Sequence, residues 1–261
     1  MIDQLNRDRL GPPYPYPPIT EAVVEFRFDS QLDEPELAKI SAKLSRYYPN
    51  EQVQVAKGVK LDLDSSTVEF EDGGKIHRRT NVDENEIVIM GAQSLAISQL
   101  AVYPSWDNFH RRIVRDREIW RKVVGFRKIT QIGMRFINRI DVPIDEEGKA
   151  RHEDYLKLQI LLPPEYPHNT GYSLSVQLPL QDLKSVANVN SGAVNSPVPK
   201  HASFVLDIDI IRIVDVPQRD DDIEPLLSDM RAEKNRLFES FITDAARERF
   251  FHEHPLRQPG A

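Results

Sequence analysis

The sharpest alternation in the chain runs through residues 131–142, QIGMRFINRIDV, where Ile132, Met134, Phe136, Ile140 and Val142 form one apolar row. Arg135, Ile137, Arg139 and Asp141 share the other face, because side chains alternate along a strand. The pattern predicts a strand with one core face and one charged face. Asn138 is the exception. It falls on the apolar face, where an amide requires hydrogen-bond partners and so fixes a neighbouring backbone segment.

Similar alternation predicts a strand over 22–28, then several antiparallel strands from about Val53 to Val102: VKLDLD, TVEFED, KIHRRTN, EIVIMG and LAISQLAVY. The glycines of EDGGK, residues 71–75, predict a tight hairpin turn. They are too few to cradle a phosphate. After Pro143 come YLKLQILL (155–162), GYSLSVQLPL (171–180) and SFVLDIDIIRIVDV (203–216), again read as strands. The stretch 184–202 has little periodicity and reads as a mobile loop.

Helical spacing appears in three places. Asp33 caps a helix over Glu34 to Tyr47 with Leu37, Ile40 and Leu44 on one stripe. Ser105 caps a second, in which Trp106, Phe109, Ile113, Trp120 and Val124 recur as core anchors and Gly125 is the stop. Arg111, Arg112, Arg115, Arg117, Arg121 and Lys122 on this helix read as a solvated basic face. A third helix, Asp222 to Phe250, carries Leu226, Leu227, Met230, Leu237, Phe238, Phe241 and Ala245.

The order of elements predicts an α+β fold: a curved antiparallel β-sheet, saddle-like or partly closed, covered by two long helices. Residues 1–20 form a proline-rich arm, with five prolines in the eleven residues GPPYPYPPITE, read as a semi-rigid extension laid over the domain. Residues 21–250 read as a single α+β domain that admits a degenerate internal duplication, with halves 21–124 and 128–250. Residues 251–261 read as a tail, and HEH at 252–254 belongs to it rather than to a site.

Composition narrows the function classes. The 261 residues include no cysteine, which excludes disulfides, thiolate catalysis and cysteine-ligated metals. A formal charge of −7 and a pI of about 5.6 offer no global attraction to nucleic acid or anionic lipid. No apolar run approaches the roughly 20 residues that span a bilayer. The expectation is a cytoplasmic protein with no membrane contact, no cofactor, and a protein partner rather than nucleic acid.

The candidate chemistry lies on strand faces. Asp207 and Asp209, two apart on VLDIDIIRI, share one face and could hold Mg²⁺, but no third ligand stands at a recognisable spacing. Pairing with Arg135 and Arg139 accounts for them equally well. Arg27, Arg135, Arg139, Asp207 and Asp209 are therefore the candidate ligand-binding set, able to line a charged concavity for a phosphate-rich molecule. Triphosphate-tunnel enzymes are an analogy, weakened because VVEFRF has Val23 where their alternating glutamates would require an acid. No catalytic residue is assigned: there is no GxSxG turn, and the histidines are scattered.

The segments PPITEAVVEFRF, YPSWDNF, QIGMRFINRIDVP, LDIDI and EKNRLFESFITDAARERF, in this order, resemble a sporadically distributed family of bacterial and archaeal proteins known by a numbered placeholder name. The resemblance spans about Pro17 to Phe250 and implies no particular reaction, ligand or partner. Patchy distribution is common among accessory and defence-island genes, so what it implies is a prokaryotic accessory role, in defence or a toxin–antitoxin system. The leading expectation is a non-enzymatic interaction or sensor subunit. The alternative is an anionic ligand (nucleotide or phosphate) binding or phosphate-cleaving domain that uses the charged sheet face.

Overall fold

A computed structural model describes residues 14–62, 67–165 and 171–252, without the side chains at 56–62, 67–73 and 250–252. The elements are β1 (Ile19–Phe28), α1 (Glu34–Leu44), β2 (Asn50–Asp62), β3 (Thr67–Thr80), β4 (Glu86–Gly91), β5 (Ser94–Leu100), α2 (Trp106–Val124), β6 (Ile129–Pro143), a single 3₁₀ turn (His152–Asp154), β7 (Ser173–Leu180), β8 (Ser185–Asn195), β9 (His201–Arg212), α3 (Asp220–Phe241) and α4 (Asp244–His252). The fold is α+β, with an open nine-stranded antiparallel sheet in the order β2-β3-β4-β5-β1-β6-β9-β8-β7. Two of the helices are long: α2 has 19 residues and α3 has 22.

The chain divides into two compact units, one of Met1–Ala22, Met134–Asp215 and Arg219–Ala261, the other of Val23–Gly133 and Val216–Gln218. In the second unit α1 starts as its sequence dictates. Asp33 accepts from the Glu36 N–H at 2.8 Å while the Glu36 carboxylate accepts from the Asp33 N–H at 3.1 Å, a reciprocal capping box. Ser105 caps α2, and Gly125 ends it at φ 72, donating to the Arg121 carbonyl, a conformation open to a residue without Cβ. Trp120 stacks on Phe28 with ring centroids 4.0 Å apart. Trp106 is only half-buried and packs beside Phe109 and His110, so one of the two expected tryptophan anchors lies outside the core.

In the first unit α3 packs on β9. Ile223, Leu227, Met230, Leu237 and Phe238 are its buried apolar residues. Tyr14, where the described part of the arm begins, donates to Glu239 of this helix at 2.7 Å and sets its ring edge-on to Phe238. The Pro18 carbonyl accepts from the Arg139 N–H at 2.8 Å. Residues 1–13 and 253–261 lie outside the described residues, and with them most of the arm and of the tail.

Four expectations are corrected. EDGGK is no hairpin turn: it lies within β3, where Val55 pairs with Lys75 and Lys57 with Asp72. Two glycines thus oppose Ala56, and Gly74 at φ +80 makes the bulge. Residues 155–162 form no strand. Leu156 makes one isolated bridge to Ile242, and Leu161 is 92% exposed, because no neighbouring strand takes up the alternation. Residues 185–195, expected to be loop, are β8, whose inward row is Ser185, Ala187, Val189 and Ser191, too small and polar to register as an apolar stripe. The last helix breaks at Ile242 and Thr243, where the Thr243 hydroxyl accepts from the Ala246 N–H. The break moves the inward position from Ala245, which is exposed, to Ala246, which is buried.

Candidate functional site

On β6 the expected alternation holds from Ile132 to Val142, with the even residues buried. Asn138, 2% exposed, donates to the Leu206 carbonyl at 3.0 Å and thereby ties β6 to β9. The opposite face carries the charges. Arg135 closes its guanidinium fork on Asp207, Nε to Oδ1 and Nη2 to Oδ2, each at 2.8 Å. Asn190 donates to the same carboxylate at 3.1 Å.

Register extends this pairing into rows. Asn190 faces Asp207 and Asn188 faces Asp209 across β8 and β9, while Gln177 on β7 donates to Asn188 at 3.0 Å. Asp207 is 5% exposed although it stands on a sheet face, because Arg135 and Asn190 lie over it. Hydrogen bonding to Asp207, opposed by burial and assisted by the charges of Asp207, Asp209 and Glu21, holds the Arg135 guanidinium more firmly protonated than usual.

Arg139 departs from the expected pairing with the sheet aspartates. It turns along its own strand to Asp141, with Nε to Oδ1 at 3.1 Å and Nη2 to Oδ2 at 3.2 Å. Asp141 also accepts from Ser203. Arg27 belongs to the other unit, where it is more than half exposed and pairs with Glu25 at 3.2 Å. Of the five candidate residues, then, Arg135, Asp207 and Asp209 form one constellation, Arg139 stands on the same face in its own ion pair, and Arg27 belongs to the other unit. Among the described residues no three histidine, aspartate or glutamate side chains gather as a metal-binding set.

The second unit holds two buried polar clusters that sequence reasoning missed. Arg112 and Asp116, 6% and 0% exposed, come from the helix whose basic residues were expected to face solvent. Tyr48 donates to Asp116 Oδ2 at 2.5 Å and accepts from Arg115 at 2.8 Å and from Arg112 at 3.3 Å. Arg112 also donates to Gln99 at 2.5 Å and to the Ser98 carbonyl at 2.7 Å. Burial first, then the Asp116 carboxylate, push the Tyr48 phenol far above its ordinary range.

In the second cluster Arg79 donates to Ser41 Oγ at 2.6 Å, to the Tyr48 carbonyl at 2.7 Å and to Glu51 at 2.7 Å. Ser41 and His77 Nδ1 both engage Glu51 Oε1, at 2.5 and 3.0 Å. The Ser41 and then the His77 hydrogen bond hold the Glu51 carboxyl below its usual range, against desolvation by burial and with the help of the Arg79 charge. Serine, histidine and glutamate here do not form a nucleophilic relay. A relay needs the histidine to take the serine proton, whereas Ser41 donates to the carboxylate and accepts from a guanidinium. The chemistry is that of a knot joining α1 to β2 and β3. A spacing of three in Arg112, Arg115 and Glu118 looks solvated, and only the tertiary partner Tyr48 shows otherwise.

No family model and no curated protein matches the chain. Among solved structures, it is similar to the S. pombe Pct1 RNA triphosphatase in complex with the Spt5 CTD, at 10% identity over 91% of this chain and 88% of that one, with a TM-score of 0.13, which is too low to bear on fold or function. Among the described residues no helix is long and apolar enough to cross a membrane.

Proposed function

We propose that the protein is a non-enzymatic interaction or sensor subunit of a prokaryotic accessory system, and that it meets a protein partner through the polar face of β6, β9, β8 and β7. The observation that carries this reading is that each arginine of the face is already closed on a carboxylate of the same face: Arg135 on Asp207 and Arg139 on Asp141. A phosphate would have to displace Asp207 from a bidentate fork to be bound. Two arginines stand with Glu21, Asp141, Asp207 and Asp209, two positive charges against four negative, so the face is net acidic. It suits a lysine- or arginine-bearing segment, with Gln177, Asn188 and Asn190 as hydrogen-bonding neighbours. One long helix and a run of antiparallel strands in each unit support a degenerate duplication as the origin of the fold.

Calorimetric titration with a short arginine-rich peptide tests the reading against a glutamate-rich peptide of equal length. The expected result is binding of the basic peptide alone, weakened by added salt and by Asp209→Asn. Preference for the acidic peptide, or binding indifferent to Asp209→Asn, refutes it.

A further inference from the structure

The two edges of the sheet differ in a way that bears on self-association. The edge strand β2 carries Glu51, Lys57, Lys60 and Asp62, and charge is a common guard against pairing with another chain. The other edge strand, β7, reads SLSVQLPL and carries no charge. Its single guard is Pro179.

In the β7–β8 register Ser173, Ser175, Gln177 and Pro179 face Gly192, Asn190, Asn188 and Val186. Just before the strand, the Tyr172 carbonyl accepts from the Ala193 N–H at 3.2 Å, so even-numbered residues turn their backbone toward β8. Odd-numbered ones therefore turn outward, and Pro179, which has no N–H, sits where none is required by β8. The outward N–H groups of Ser173, Ser175 and Gln177, with their carbonyls, meet no partner among the described residues. Leu174, Val176 and Leu178 are only half-buried, whereas Ala187 and Val189, beside them on β8, are buried.

We infer that β7 is a homodimerisation edge, at which a second copy of this chain adds its own β7 antiparallel about a two-fold axis at Val176. The strand is self-complementary in that register. Ser175 and the partner's Gln177 exchange N–H···O bonds reciprocally, and so do Gln177 and the partner's Ser175. Val176 meets the partner's Val176, and Leu174 meets the partner's Leu178, so the apolar row continues unbroken across the axis while Ser175 and Gln177 stay on the polar face. No like charges oppose each other. Pro179 falls opposite the partner's Ser173, at the end of the paired stretch, where its missing N–H removes one terminal bond and disfavours pairing shifted toward the strand's C-terminus. The interface is isologous, as a closed two-fold dimer requires. This inference is independent of the reading of the polar face.

Light scattering on the full chain over the micromolar range tests it, and the absence of cysteine permits a clean cross-link. Val176 and its symmetry mate form a non-hydrogen-bonded pair, with Cα atoms about 4.5 Å apart, within disulfide reach. Wild type is expected to reach dimer mass, Val176→Cys to form a disulfide dimer on mild oxidation, and Ser175→Cys to form none. Gln177→Pro, which removes an outward N–H at a position equivalent to Pro179, gives a monomer. Val176→Lys, which sets like charges together on the axis, does the same by another route should the proline variant fail to fold. A wild type that stays monomeric throughout, or a dimer that survives Val176→Lys and leaves Val176→Cys uncross-linked, overturns the inference.

Discussion

Replacing Lys234 with methionine should raise stability at acidic pH and abolish one pH dependence of folding. Lys234 lies on α3, is 7% exposed, and holds Nζ 4.0 Å above the centre of the Phe136 ring on β6. Burial first, then the nearby charge of Arg231, against the opposing pull of Glu239, bring its amine from 10.5 to about 7. At about 1.4 kcal/mol per pH unit that drop is a charging cost on the order of 5 kcal/mol, of which the aromatic face returns about 2 kcal/mol. Between pH 7 and 10.5 the unfolded chain holds a proton that the native state lacks, so stability rises with pH through that window and is level below it. Methionine has similar length and no charge to bury. Urea unfolding at pH 6, 7.5 and 9 is the assay. Lys234→Met should be the more stable protein at pH 6, and the wild-type gain between pH 7.5 and 9 should be missing from it. Equal slopes in the two proteins, or a variant weaker at pH 6, would refute the reasoning.

Three further outcomes are expected. Phe238→Ala removes a side chain 7% exposed on α3 and should cost roughly 3 to 5 kcal/mol; an unchanged melting temperature would place that ring outside the core. A double-mutant cycle of Arg135→Gln with Asp207→Asn should return a coupling of about 1 kcal/mol, modest because Arg135 is 47% exposed; zero coupling would mean that the fork does not persist in solution. With a formal charge of −7, the protein should bind random duplex DNA at physiological salt no tighter than roughly 10⁻⁴ to 10⁻⁶ M, and a salt-sensitive nanomolar complex by fluorescence anisotropy would contradict the partner class proposed.

What the sequence makes legible is whatever rests on strong contrast between neighbouring positions. Ile132 to Val142 alternate large apolar with charged residues, so both faces of β6 follow from the letters, and the misfit of Asn138 points directly to its bond with Leu206. Caps at Asp33 and Ser105 are equally local. β8 is illegible for the opposite reason: serine and alanine point inward and Val186 outward, so contrast is nearly absent and only pairing with β7 and β9 makes the strand. Residues 155–162 alternate well and still form no strand, since a strand also needs a neighbour. The candidate site was half legible. Arg135 and Asp207 lie 72 positions apart, and alternation gives each its face but not the register that joins them. Arg139 chose the carboxylate two residues along its own strand over one on β9. The α2 cluster escaped because Arg112, Arg115 and Asp116 look like surface residues until Tyr48 is brought to them.

The arginines of the sheet face either serve the fold or await an anion. Thermal denaturation of wild type and Arg135→Gln with ATP, GTP, inorganic triphosphate and cyclic nucleotides, each with and without Mg²⁺, decides it, since a ligand of the native state raises the melting temperature by mass action. The predicted result is no shift with any of them, together with a lower melting temperature for Arg135→Gln because Asp207 loses its partner. A clear shift in wild type that disappears in Arg135→Gln, with the ligand-free variant as stable as wild type or more so, would contradict the claim and make the face an anion site.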